Sequence, residues 1–188
     1  MKNSLKVGII IGVIVLVVIM LFAGTYNGLV GKEEEVDNKL ADISVQLERR
    51  ADLIPNLVNT VKGYTSHEQE AIDKVTSARE KLVNANSTED KANADQELTN
   101  ALNNLFVIVE NYPDLKANTN FIQLQDELAG TENRIAVARR DYNDAVKSYN
   151  KTIKSFPKNI LAGMFGFEKK TYFEAKESSN EVPNVSFE

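Results

Sequence analysis

FIQLQDELAGTENRIAVARRDYNDAVKSYNKT, residues 121–152, carries apolar and small residues in alternating steps of three and four. The repeating positions are Phe121, Leu124, Leu128, Thr131, Ile135, Ala138, Tyr142, Ala145, Tyr149 and Thr152. This spacing puts all of them on one face of a helix and is typical of a heptad seam. A helix from Asn120 to Lys154 is about 50 Å long. The seam therefore predicts neighbouring helices packed antiparallel along it.

Helical spacing also recurs upstream of the seam, in three further segments. Their apolar positions are Val36, Leu40, Ile43, Leu47, Ile54, Val58 and Val61; then Ile72, Val75 and Leu82; then Leu98, Leu102, Leu105 and Val109. Pro55 lies inside the first segment and removes one backbone hydrogen bond, which predicts a kink near Ala51 or a short break, rather than the end of the helix. The NANSTED turn precedes the third segment, and the cluster around Pro113 ends it.

An unbroken apolar run, VGIIIGVIVLVVIMLFA from Val7 to Ala23, precedes these segments. With the residues up to Tyr26 it reaches the roughly 20 residues of a membrane-spanning helix. A cleaved signal peptide is the alternative, although the run exceeds the usual apolar core of one. The residues after the span allow either a flexible joint or one continuous helix. The sequence thus predicts an all-α protein, with an N-terminal transmembrane helix followed by an elongated antiparallel, up-and-down four-helix-type bundle.

We expect three parts: a membrane anchor at residues 1–26, a helical bundle with a C-terminal apolar strap at 27–167, and a polar, disordered tail at 168–188. Residues 7–26 would contact membrane lipid in a single-pass protein of the cell membrane. Lys2 and Lys6 precede the span with the α-amino group, and Lys32 and Lys39 follow it. This small excess favours a cytoplasmic N-terminus and a domain outside the membrane.

Composition excludes several classes of function. The net charge is −5 and no basic stripe occurs, which argues against nucleic acid as a partner. The chain has no cysteine and a single histidine, His67, so neither thiol chemistry nor a bundle-type di-iron site is predicted. We identify no catalytic, cofactor-binding or metal-binding residue. A hydrolase built on paired carboxylates ranks last among the hypotheses, because no pair of acids is distinguished by its position.

Two groups of charged residues are the candidate functional residues of the bundle. Their members are Arg49, Arg50 and Asp52, and then Arg134, Arg139, Arg140 and Asp141. Arginine forks pair well with carboxylates between helices, which favours salt bridges that fix helix register. The alternative is a site between helices for an anion or a peptide terminus. If Arg50 and Arg134 each face a carboxylate, the register-fixing interpretation holds.

An apolar patch follows the seam helix. Its residues are Phe156, Ile160, Leu161, Met164, Phe165 and Phe167, and lysines surround it. The patch either folds back as a strap over the open end of the bundle or enters the membrane interface. We favour the strap, because interface helices usually have a larger polar face.

Long local motifs resemble the LemA family. They are RRADLIPNLV at 49–58, ENRIAVARRDYN at 132–143 and AGMFGF at 162–167, within blocks at 26–64, 112–150 and 156–175. The resemblance implies a bacterial protein with one N-terminal span and a helical bundle, and it implies no reaction or cofactor. Members of the family linked to magnetosome membrane formation and to membrane peptidases imply a protein partner, for which a membrane peptidase is one candidate.

The leading functional hypothesis is a non-enzymatic, membrane-anchored adaptor or scaffold. It would bind a partner protein, or a second copy of itself, through bundle surfaces near Arg134 to Arg140 and the 156–167 patch. The heptad seam permits self-association but is equally explained by packing within one chain. The alternative is a lipid-contacting, membrane-remodelling module that uses the C-terminal apolar patch.

Overall fold

The computed structural model describes residues 2–65 and 67–175, and this part of the chain is helical without strands. Its helices are α1 (Lys2–Lys62), α2 (Gln69–Asn84), α3 (Thr88–Val109), α4 (Pro113–Lys116), α5 (Thr119–Lys154) and α6 (Lys158–Phe165). The predicted all-α class with an apolar N-terminal helix is confirmed. The short helix α4 is a difference from the sequence analysis, which ended the third segment at Pro113 without a new element. Proline suits the first turn of such a helix, since the N–H it lacks would have no partner there.

Helix α1 is one continuous helix from the apolar run into the polar chain. Its apolar part is long enough to cross a membrane and is not buried within the protein. The side chains from Ile9 to Phe22 are exposed. Of the two possibilities for the residues after the span, the structure shows the continuous helix, which passes through Gly24, Gly28 and Gly31.

The chain divides into two compact units, each of which contains part of α1 and part of α5. The first unit comprises Met1–Ala41 and Arg140–Thr171, and the second comprises Asp42–Arg139 and Tyr172–Glu188. The first unit buries Leu29 and Val36 of α1 with Val146, Tyr149 and Ile153 of α5. Val36 and Tyr149 are predicted positions, whereas Leu29, Val146 and Ile153 are not, so the buried face of α5 includes residues beside the predicted seam.

In the second unit, the core forms between the rest of α1, helices α2 to α4 and the first part of α5. Its fully enclosed apolar side chains are Ile43, Ile54, Leu57, Val61, Val75, Leu98, Leu105, Leu115 and Ile135. Helix α3 begins at the predicted turn, where the Ser87 hydroxyl accepts a hydrogen bond from the Asp90 N–H at 3.0 Å. This N-cap satisfies a backbone donor that the helix itself leaves free.

Residues 168–175, which the sequence analysis assigned to the polar tail, have no regular secondary structure but make buried contacts. Phe173 is only 3% exposed, and Lys170 is half-buried. Residues 176–188 of the expected tail lie outside the described residues. The three-part division of the chain stays a prediction.

Pro55 lies inside α1 without ending it, as the sequence analysis expected. Proline has no N–H, so the carbonyl of Ala51 loses its usual partner four residues later. Arg79 of α2 replaces that partner, because its Nε–H donates to the Ala51 oxygen at 2.9 Å. The contact satisfies a buried helix carbonyl and joins α2 to α1 at the proline.

We expect Arg79→Met to lower the free energy of unfolding by about 2 kcal/mol, since it leaves the Ala51 carbonyl without a partner. In a Pro55→Ala background the same substitution should cost much less, because alanine supplies the N–H that proline lacks. Urea unfolding of the full chain in detergent micelles, followed by circular dichroism, measures both. Lys74→Met, which breaks only an exposed pair with Glu70, is the control. If Arg79→Met lowered the free energy of unfolding equally in the Pro55 and the Pro55→Ala backgrounds, the hydrogen bond from Arg79 would not compensate for the proline.

Candidate functional site

A buried carboxylate in the second unit binds two arginines from two other helices. Asp95 of α3 accepts a hydrogen bond from the Arg50 guanidinium of α1 at 2.7 Å. Its other oxygen accepts one from Arg139 of α5. The same Arg50 nitrogen that reaches Asp95 also lies 2.7 Å from a carboxylate oxygen of Glu132 on α5. We call these four residues the Asp95 network.

Burial and charge balance define what the Asp95 network does. Asp95 is fully enclosed and Arg50 is only 3% exposed, whereas Arg139 and Glu132 lie nearer the surface. Two guanidinium groups face two carboxylates, so the charges cancel. Arg139 also stands over the ring of Phe173, with its guanidinium carbon 5.0 Å from the ring centroid. An aromatic face attracts such a cation and shields it from water.

Some hydrogen-bonding capacity in and beside the Asp95 network is unused. The Nε atoms of Arg50 and Arg139 and the Oε1 atom of Gln46 are buried, and no protein group pairs with them in the described part of the chain. The terminal nitrogens of both arginines nevertheless bind carboxylates. This arrangement favours the register-fixing interpretation for these two arginines, because their charges are already neutralised within the protein.

The other predicted residues do not join the Asp95 network. Arg49 pairs with Glu127 at 3.1 Å on the surface. Arg140 pairs with its neighbour Asp141 at 3.4 Å. Asp52 is exposed on the rim of a cleft in the second unit.

Arg134 is exposed on α5 and pairs with no carboxylate among the described residues. Its guanidinium lies over Gly130, where a Cβ atom would come within 3.4 Å of it. The condition set for the register-fixing interpretation is therefore met by Arg50 and not by Arg134.

The sequence analysis missed Asp95, which is the centre of the network. A signal for it exists, since Asp95 precedes Leu98 and Leu102 by three and seven residues and so occupies the apolar face of α3. An acidic residue in a core register needs a buried cation nearby. Reading the face of α3 for polar exceptions, rather than searching for charge clusters, would have found it.

We expect Asp95→Asn to destabilise the protein by about 3–5 kcal/mol, because it leaves two arginines with too little negative charge. Urea unfolding of the full chain in micelles measures the change. Glu127→Gln, which breaks the exposed pair with Arg49, is the matched control and should cost about 0–1 kcal/mol. If the two substitutions cost the same, the Asp95 network does not hold the helices together.

A second candidate region, in the first unit, is the apolar patch at α6. Phe156, Ile160 and Met164 are exposed at intervals of four residues, and Phe165 is exposed beside them. Leu161 and Ala162 of the same helix are buried. One face of α6 thus covers the protein as a strap would, while the other is apolar and uncovered.

Aromatic contacts join this patch to the end of the membrane span. The ring of Tyr26 lies edge-on to Phe165, with centroids 4.9 Å apart, and to Phe167 at 5.9 Å. Gly166 between the two phenylalanines has a φ of 74°, a left-handed conformation that ends α6. The turn brings both rings to Tyr26, at the level where an aromatic belt is expected.

The chain after α6 is fixed against α5 and α1 in the same unit. The side-chain amide of Asn150 donates to the Lys170 carbonyl at 2.9 Å and accepts from the Lys170 N–H at 3.0 Å. The Lys170 ammonium lies 2.9 Å from Glu33 and 3.3 Å from Asp37. Burial lowers the pKa of Lys170, but hydrogen bonds to Glu33 and Asp37 outweigh this effect and raise the pKa overall. Lys170 therefore stays charged and bound.

Comparisons with known proteins find one family and several relatives. The model of the LemA family matches residues 39–187. Protein LemA of Metamycoplasma hominis is 29% identical over 162 residues, which cover 84% of this chain and 72% of that protein. Magnetosome protein MamQ 2 of Paramagnetospirillum magneticum is 26% identical, over 82% of this chain and 66% of its own length. Magnetosome protein MamQ of Magnetospirillum gryphiswaldense is 23% identical over the same shares.

The residues that match the family model include both candidate regions of the structure. The matched residues include the whole Asp95 network and the apolar patch at α6. The apolar N-terminal helix, together with these relatives, fits a single-pass, membrane-associated protein. The family model covers most of the chain, and the resemblance seen in its motifs is thereby confirmed: the chain belongs to the LemA family.

Proposed function

We propose that this protein is a non-enzymatic adaptor, anchored in the cell membrane by residues 7–26 with its helical domain outside. The observation that carries the proposal is the Asp95 network. Both of its arginines are bound to carboxylates, and Asp95 is closed to solvent. A cluster of this kind holds helices in place, and its charged groups are already bound to one another. The domain then acts through the surface it presents.

A cleft in the second unit is the surface best suited to a protein partner. It encloses about 320 Å³ beside α1, α2 and the start of α3. Its floor includes Leu47 and Leu82, and Val83 in its lining is 58% exposed. Asp52, one of the predicted residues, and Lys91 contribute charges of opposite sign to the rim. An apolar centre within a polar rim is the usual composition of a protein-binding surface.

The names of the relatives support an adaptor in a limited way. A magnetosome protein is named for a structure and not for a reaction, and the family name likewise specifies none. The partner would be another membrane-associated protein, for which a membrane peptidase is one candidate, or a second copy of this chain.

One experiment tests both the partner and the side of the membrane. The chain has no cysteine, so Val83→Cys can carry a membrane-impermeant reagent that joins a thiol-reactive group to a photo-crosslinker. We expect labelling in intact cells and one discrete cross-linked product that contains either a second copy or one partner protein. Val107→Cys, 70% exposed on α3 and outside the cleft, is the control and should label without that product.

The possible failures are distinct. Labelling only after the cells are permeabilised would place the domain in the cytoplasm. The cross-linked products of Val83→Cys and Val107→Cys would then be compared in permeabilised cells. The same product from both cysteines, or none from Val83→Cys once labelled, would reject the cleft as the site of an adaptor.

A second candidate function is lipid contact by α6, which the exposed face of that helix specifically favours. Phe156, Ile160 and Met164 would be unfavourable in water but are suited to the membrane interface. Lys158 begins the helix, where its ammonium can reach lipid headgroups. Tyr26, in contact with Phe165, marks the end of the span on the same side of the unit.

Because the chain has no tryptophan, Met164→Trp provides a single fluorescent reporter of this contact. In proteoliposomes of the full chain we expect strong quenching by lipids brominated near the headgroup end, since interfacial helices lie about 5–10 Å deep. Val107→Trp on the second unit should be quenched little. If the two reporters are quenched equally, α6 does not lie in the membrane interface.

A further inference from the structure

A second cleft lies in the first unit, where the membrane span meets the helical domain. It encloses about 390 Å³. Met20, Leu21 and Thr25 of the span line one part of it, and Lys32, Thr152 and Lys158 line another. Its wall therefore changes from hydrocarbon to hydroxyl and ammonium groups. This change matches the order of chemical groups along a phospholipid, from acyl chain to headgroup.

The two lysines of the cleft have donors to spare. Lys32 donates one hydrogen bond to the Ser148 hydroxyl at 2.8 Å, and an ammonium group has three donors. Lys158 is exposed and forms no ion pair with a carboxylate in the described part of the chain. An anion within the cleft would therefore meet cationic donors that no described acid has neutralised.

Two further lysines belong to the same unit, Lys154 near the end of α5 and Lys169 after α6. The neighbouring Lys169 ammonium lowers the pKa of Lys154. Two cations held together cost energy in water and gain it when an anion lies between them. Glu168 is the nearest acid along the sequence, and among the described residues no ion pair joins it to either lysine.

We propose that this cleft binds one anionic phospholipid of the surrounding leaflet, with its phosphate at Lys32 and Lys158 and an acyl chain along Met20 and Leu21. The inference rests on the proposed lipid contact of α6 and names the lipid class that this contact selects. A lipid fits better than a free phosphate, because part of the wall belongs to the span itself. A phosphate ion would leave that apolar part without a partner.

Native mass spectrometry of the full chain in detergent tests the selection. The protein is mixed with equal amounts of phosphatidylglycerol and phosphatidylcholine, and the bound lipid is counted. We expect phosphatidylglycerol to be retained preferentially. The double variant Lys32→Gln, Lys158→Gln should lower its occupancy about tenfold, since each lysine near an anionic lipid contributes a substantial attraction. The matched control, Lys62→Gln with Lys74→Gln on the second unit, should retain the preference.

Each alternative outcome has a distinct meaning. Equal retention of the two lipids, or loss of the preference in both double variants, would overturn the inference. Displacement of phosphatidylglycerol by millimolar inorganic phosphate would indicate a free-anion site and would also overturn it. If the Met164→Trp reporter is still quenched in vesicles of phosphatidylcholine alone, α6 contacts lipid even though the cleft does not select an anionic one. The further inference would then fail while the proposed lipid contact stands. Unchanged thermal unfolding of the lysine variants shows that they are folded.

Discussion

One buried negative charge constrains the packing of the second unit. Asp95 is fully enclosed, and a carboxylate in that position is tolerated only beside cations. Its two partners come from α1 and α5, while Asp95 itself belongs to α3. All the charges are therefore neutralised only when these three helices adopt one register. A buried ion network adds little net stability compared with apolar packing, but a slip of one helical turn would leave it unpaired. We infer that the network selects the arrangement more than it strengthens it.

A different constraint governs the first unit, where apolar surface must be covered by protein or by lipid. Helix α6 buries Leu161 and leaves Ile160 and Met164 uncovered, and Phe156 just before the helix is exposed as well. The strap and the membrane-interface interpretations therefore describe two faces of one helix and do not exclude each other. Because Tyr26 contacts the residues that follow the exposed face, α6 lies at the end of the span. Apolar side chains that would be a liability in water are favourable at that depth.

Periodicity could predict most of the fold, because helices bury one continuous face. The seam predicted a helix from Asn120 to Lys154, and α5 runs from Thr119 to Lys154. The contacts between distant residues could not be predicted in the same way. Arg79 meets the Ala51 carbonyl only because Pro55 leaves it free. The register of Asp95 on the apolar face of α3 marks it as a buried acid, but the arginines that reach it come from distant parts of the chain and depend on packing. Of the seven charged candidates, Arg50 and Arg139 belong to the network, since exposure and partners depend on packing that charge clusters do not encode.

The carboxylates of the network also bear on the hydrolase hypothesis. Asp95 and Glu132 contact the same Arg50 nitrogen, so their carboxylates lie close together. A hydrolase of this type needs one acid whose surroundings favour its neutral form and an open space between the two groups for substrate or water. Here a guanidinium fills that space, cations surround the pair and Asp95 is closed to solvent. Asp95 and Glu132 are thus arranged to bind arginines between helices and not to meet a substrate.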